Sequence, residues 1–304
     1  MRNKKETVMK DKKTMAMNNL RRSVVLFLCM VLSAGSLWAY RNTYAVIIGV
    51  ADYEEGSSSD LTFTTSDAQK FCDFLRSPEG GNVPSSNIYI LKNSQATKSN
   101  ILYYTRTLFS KSSEDDRVIF FFSGHGCAGY LLPYDASYFG TNWLSYDEIK
   151  ALFRTAKARF KFMFADACFA GDFRNSLPQN SSSSSSTASR NKSDIAIMLS
   201  CGDNEYSIES ASLRQGVFSY YLIKGLKGAA DRDHNNLITI QELYYYVYHN
   251  TLNFTTDDVG RPQKPVLFGN FDLRLVVGYV KRTKDFDADI DKSAKKVTRE
   301  SLTH

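Results

Sequence analysis

Two short segments carry residue types able to break a peptide bond. Ser123, Gly124, His125 and Gly126 form the first, and Asp166, Ala167, Cys168, Phe169, Ala170 and Gly171 form the second. A thiol attacks a carbonyl efficiently only as thiolate, and a positioned imidazole both draws off that proton and returns it to the leaving amine. Cys168 and His125 are therefore candidates for nucleophile and base in an acyl-transfer reaction. The backbone N–H groups of Gly126 and Cys168 are candidates for holding the oxyanion. Taken singly, a histidine among glycines is a turn residue and a cysteine is a small buried hydrophobe. Their joint occurrence, each behind a strand pattern, is what argues for chemistry.

The two segments need elements that bring them together. Residues 118–122 and 160–165 are short aromatic or β-branched runs bounded by small or polar residues, as strands are. Their near-continuous apolar character predicts strands covered on both faces, as in a parallel sheet. In such sheets ligands sit beyond the carboxyl ends of the strands, where His125 and Cys168 both fall. Further strands are expected at 44–50, 88–91, 195–200 and 271–277. Helices are expected at 67–76, at 100–109 with Ser99 as cap, and from the Ser145–Glu148 capping box to about Lys157. This alternation predicts an α/β fold, a mostly parallel central sheet with helices on both faces.

At this point the chain resembles the caspase-like cysteine peptidases, and within them the metacaspase and bacterial branch. The resemblance rests on a histidine about 50 residues before the cysteine and on blocks in one order: the strand 44–50, then Ser66-Asp67-Ala68, then 131–136, then 216–222. The Gln-Ala-Cys-x-Gly signature of animal caspases is absent. The similarity runs from about Tyr44 to Val277. It implies a caspase-like three-layer sandwich and a cysteine-type endopeptidase acting on protein or peptide substrates through His125 and Cys168, with no required cofactor.

The resemblance also implies that Asp67 and Asp166 line the pocket for the residue before the scissile bond and select Arg or Lys there. A walled carboxylate suits a guanidinium, bidentate in the best case. Asp135 and Glu205 are further candidates for this pocket. On the residues alone, Asp67 reads equally as an acid complementing a helix N-terminus and Asp166 as a turn hydrogen-bonder. Two other readings use the same fold: a catalytically silent protein-binding module, and a peptide ligase whose dyad passes the acyl group to an amine instead of water.

Chain organisation comes from composition. At 304 residues and 43% hydrophobic content, the sequence can bury one sizeable core. Much of the net charge of +6 sits near the start, in Arg2, Lys4, Lys5, Lys10, Lys12, Lys13, Arg21 and Arg22. The body therefore carries no charge argument for nucleic acid. The basic start leads into an apolar stretch from Val24 to Leu32 and then to Ala39, which is the order of a secretory signal. Residues 1–39 are expected to be that signal, with an uncleaved anchor as the competing reading; the mature protein is then secreted or periplasmic and off the membrane.

The peptidase domain is expected at 40–277, with a large-subunit-like part at 40–175 and a small-subunit-like part at 194–277. Between them, residues 176–193 form a serine-rich linker, including the serine run at 181–186, that cannot bury apolar surface. The resemblance implies chain cutting in this region, where Arg174, Arg190 and Lys192 offer basic points; a loop that is never cut is the alternative. Residues 278–304 are a charged tail. Export leaves Cys72, Cys127, Cys168 and Cys201 where disulfides are permitted, and the three spare cysteines are expected to be buried thiols.

A second constellation follows calcium-loop spacing. Asp231, Asp233, Asn235, Leu237 (through its carbonyl), Thr239 and Glu242 stand at loop positions one, three, five, seven, nine and twelve. Position six, normally glycine, is Asn236, which tolerates left-handed backbone. The alternative is an acidic turn that simply caps the helix beginning near Ile240.

Overall fold

The computed structural model describes residues 41–55, 60–168, 194–202 and 205–280. The expected signal, the serine-rich linker and the tail beyond Val280 lie outside the described residues. Along the chain the strands are β1 (Thr43–Gly49), β2 (Ile88–Lys92), β3 (Arg117–Ser123), β4 (Gly126–Cys127), β5 (Tyr130–Leu131), β6 (Leu144–Ser145), β7 (Phe160–Asp166), β8 (Asp194–Leu199), β9 (Glu209–Ser210), β10 (Gln215–Gly216), β11 (Leu237–Thr239), β12 (Val266–Asn270) and β13 (Val276–Tyr279). The helices are α1 (Thr64–Arg76), α2 (Lys98–Phe109), α3 (Tyr146–Thr155), α4 (Val217–Lys224) and α5 (Ile240–Val259).

The central sheet has the order β12-β8-β7-β3-β1-β2. Its strands run parallel except β12, which lies antiparallel on β8. Side-chain alternation explains why both faces need helices. Val46, Ile48, Phe120, Phe122, Met163, Ala165, Ile197 and Leu199 belong to one core with Ile101, Leu108 and Phe109 of α2 and Ile149 and Phe153 of α3. Residues of the opposite parity meet α1, whose Phe71 stacks on Phe121 at 4.5 Å between centroids and lies 6.1 Å from Phe164. Every residue of β3 and β7 is buried in consequence, and each fully buried Phe contributes about 1.5–3 kcal/mol. The three-layer α/β architecture expected from the alternation is what forms.

Three local differences have physical causes. The α1 helix starts at Thr64, a turn before Asp67. The cap of α2 is Thr97, whose hydroxyl accepts the Asn100 N–H at 3.3 Å, while Ser99 pairs with that hydroxyl at 3.2 Å. At the other end of the chain, the strand expected at 271–277 is replaced by two. The first, β12, closes the sheet edge, and β13 pairs antiparallel with β11 in a separate ribbon. Asp272 separates them: its carboxylate accepts the Arg274 N–H at 2.8 Å, a local turn that ends strand pairing. The Ser145–Glu148 capping box is present as expected.

Candidate active site

Strands β3 and β7 pair in register, with Ser123 opposite Asp166. Neighbouring strands lie about 4.8 Å apart, so His125 and Cys168, each two positions beyond that pair, leave the sheet side by side. The Gly124 N–H donates to the Asp166 carbonyl at 3.1 Å and ties the two exits together. A Cβ on Gly126 would lie 2.8 Å from the Cys168 carbonyl oxygen, closer than such atoms come, so glycine is what permits this approach. His125 and Cys168 line one cleft, together with Asp67, Asp166, Ser123, Ser207, Glu209 and Gly216.

Neighbours fix both loops. The His125 backbone N–H donates to the Tyr53 hydroxyl at 2.7 Å, and the two rings lie 5.1 Å apart. Burial pushes the Tyr53 phenol up, keeping it neutral. On the cysteine side, Ala167 donates its N–H to the Ser200 hydroxyl at 3.0 Å and receives at its carbonyl the Ser200 O–H at 2.9 Å and the Cys201 S–H at 3.3 Å. The wholly buried Gln263 donates to the Ser200 carbonyl at 3.0 Å and accepts the Ile208 N–H at 3.0 Å. Residues after the linker thus hold the residue just before the sulfur.

Burial pushes the Cys168 thiol up, offset in part by a hydrogen bond from the Ser207 backbone and reinforced by the charge of Asp166. The sulfur is therefore a protonated thiol near neutral pH, and it needs an external base to become a nucleophile. The expected result in the resting protein is that iodoacetamide labels Cys168, located by mass spectrometry, about tenfold faster per pH unit between 6 and 8. A rate independent of pH over that interval would mean a thiolate already formed, contrary to this environment.

Beneath these loops lie two carboxylates. Asp67 is 1% exposed and Asp166 5%. Asp67 accepts the Ser123 hydroxyl at 3.0 Å and the Gly216 N–H at 3.2 Å. Asp166 accepts a hydrogen bond from the Ser207 hydroxyl, and both the N–H (3.1 Å) and the hydroxyl (2.7 Å) of Ser219. A Cβ on Gly216 would meet Asp166 Oδ2 at 2.3 Å and Asp67 Oδ2 at 3.1 Å, so both carboxylates close on this glycine. Burial pushes both carboxyls above the usual carboxylate range, and the charge of Asp166 raises Asp67 further. Among the described residues neither forms an ion pair with Lys or Arg. Lys70, which senses Asp67 electrostatically, donates instead to the Arg214 carbonyl at 3.1 Å.

Two candidates for this pocket lie elsewhere. Asp135 accepts the Lys98 N–H at 2.7 Å at the start of α2. Glu205 accepts the Lys264 N–H at 3.0 Å and pairs with its ammonium at 3.5 Å. Neither lines the cleft. Conversely, Tyr53, Ser207, Ser219 and Glu209 were not singled out from the sequence. Glu209 orients the start of α1 by accepting the N–H groups of Thr62 (2.9 Å) and Phe63 (2.6 Å). The described cysteines are thiols, with Cys72 and Cys201 buried and Cys127 half-buried. The calcium-pattern residues, from Asp231 to Glu242, stand before and at the start of α5, and none lines the cleft.

A mostly parallel sheet between helical layers, with a histidine and a cysteine on adjoining strand exits, is a caspase-type arrangement. The profile of the Caspase domain family matches residues 42–269, and the chain belongs to that caspase-like peptidase family. A probable protease from a Desulfuromonadales bacterium is 31% identical over 148 residues, covering 41% of this chain. The match takes in only 18% of that relative's own length. Among solved structures, the chain is similar to a Geobacter sulfurreducens protein, with a TM-score of 0.55, 15% identity, and coverage of 79% of this chain and 100% of the other. Caspase-1 from Spodoptera frugiperda gives a TM-score of 0.55 at 16% identity, covering 82% of this chain and 94% of the other. At these identities the two structures speak for the fold.

Proposed function

We propose that this chain is an exported cysteine endopeptidase that cleaves protein substrates after Arg or Lys. On this reading His125 takes the Cys168 proton and the sulfur attacks the scissile carbonyl carbon. Backbone donors at Gly126 and Cys168 receive the oxyanion. Collapse expels the amine, which carries off the proton from His125, and water then hydrolyses the thioester. Asp67 and Asp166 receive the basic side chain.

The observation that carries the basic preference is the buried carboxylate pair in the cleft, with no cationic partner among the described residues. Buried charges are tolerated when paired, and a substrate guanidinium or ammonium would supply the missing partner. Export is supported by the basic-then-apolar order of residues 1–39, and self-processing by Arg174, Arg190 and Lys192 in and beside the serine-rich linker. The test is a panel of fluorogenic peptides differing only in Arg, Lys or Asp before the scissile bond. Arg and Lys peptides are expected to be cleaved at least about 10²-fold faster than the Asp peptide, by the buried-pair penalty. Preference for Asp would overturn the pocket assignment.

A further inference from the structure

Outside the cleft, and independent of its chemistry, the loop ahead of α5 has the makings of a cation site. We propose that it binds one calcium ion per chain, held by Asp231, Asp233, Asn235, Thr239 and Glu242 side-chain oxygens with the Leu237 carbonyl. One carboxylate oxygen from each of Asp231, Asp233 and Glu242 lies within 4.8 Å of the others. Calcium bonds of about 2.3–2.6 Å let a single ion span such a set.

The spacing and the acidic cluster alone would describe a well-capped helix start. Glu242 indeed completes a capping box with Thr239, accepting its N–H at 3.0 Å and its hydroxyl at 2.7 Å. Asp231 is what capping does not account for. It is 6% exposed, its Oδ2 accepts the Asn236 N–H at 3.1 Å, and its Oδ1 is buried with no hydrogen-bond partner. A carboxylate oxygen out of water and without a donor is costly, and Asp231 belongs to the group that one cation can reach.

The remaining geometry is compatible. Asp233 accepts the Asn235 N–H at 3.1 Å and Asn235 the Leu237 N–H at 2.7 Å, which turns the loop around its own oxygens. Asn236 takes φ 67°, the left-handed turn that glycine usually supplies at this position. Ile238, wholly buried in β11, anchors the loop against β13. Each carboxylate oxygen that already accepts a hydrogen bond keeps a second lone pair for a metal. Oxygen donors from six positions exceed what magnesium ordinarily takes from protein, since it keeps several waters and prefers one or two carboxylates.

The test is calorimetric titration of calcium chloride into the chelator-stripped full-length chain, made with Cys168→Ala so that self-cutting contributes no heat. The expected result is binding in the range of about 10⁻⁷ to 10⁻³ M and, at saturating calcium, a rise of about 5 °C in Tm. Magnesium at the same concentration leaves Tm unchanged. Asp233→Asn, at an exposed position, keeps the calcium-free Tm and loses about tenfold or more in affinity. If further calcium sites exist elsewhere, the stoichiometry falls by one in that variant. No heat and no Tm shift, or full stoichiometry with undiminished affinity in Asp233→Asn, would overturn the assignment.

Discussion

Replacing Cys168 with alanine is expected to lower cleavage of Arg and Lys peptides by about 10⁴-fold or more, leaving the protein folded. The magnitude follows from what the substitution removes. No other thiol lines the cleft among the described residues. Cys201 is buried and directs its S–H to the carbonyls of Ala167 and Glu205, each at 3.3 Å, and Cys127 is half-buried outside the cleft. No neighbouring sulfur therefore stands ready to take over the attack. The fold should survive because the loop bearing Cys168 is pinned through Ala167 rather than through the sulfur. His125→Ala is expected to approach the same residual rate, since members of one catalytic unit do not act additively. The measurement is peptide hydrolysis by natural and variant chains, with circular dichroism as the control for folding. Equal rates for natural and Cys168→Ala protein would remove Cys168 from the chemistry.

The parts of this structure that were legible beforehand are those fixed by local pattern. The near-continuous apolar runs that became β3 and β7 announced a doubly covered parallel sheet. The capping box at Ser145 was visible because it depends on residues three apart. What was not legible depends on contacts between distant segments. Ser207 and Ser219 are ordinary hydroxyls until the fold sets them on Asp166, 41 and 53 positions away. Tyr53 reads as a loop aromatic until His125 donates to it across 72 positions. Asp135 and Glu205 show the converse error, since acidity near the motifs said nothing about which carboxylates the sheet would turn into the cleft. The strand at 271–277 failed for a local reason, the Asp272–Arg274 turn, which interrupts an otherwise strand-like composition.

The buried acids should produce opposite effects on activity and stability. Asp67→Asn and Asp166→Asn keep a side chain of the same shape and an acceptor oxygen, but each removes one negative charge from the pocket. If the pocket holds a substrate cation, each variant should lose about 10²- to 10³-fold in kcat/KM for Arg peptides, the range expected when one member of a buried ion pair is removed. Stability should move the other way. Both carboxyls are raised above their unfolded values by burial, so the folded state holds their protons more tightly than the unfolded chain does. The stability contributed by that preference is present below the ordinary carboxylate range and is lost as pH rises through the raised folded value. Above that raised value the natural protein carries this loss, whereas an Asn at either position does not ionise. Urea midpoints should therefore be higher for Asp67→Asn than for the natural chain at pH 8, and the gap should narrow as pH falls toward 4. A variant that lost activity and stability together at pH 8 would instead mark Asp67 as a structural hydrogen-bonding residue, and its loss of activity would then no longer connect the pocket to a cationic substrate.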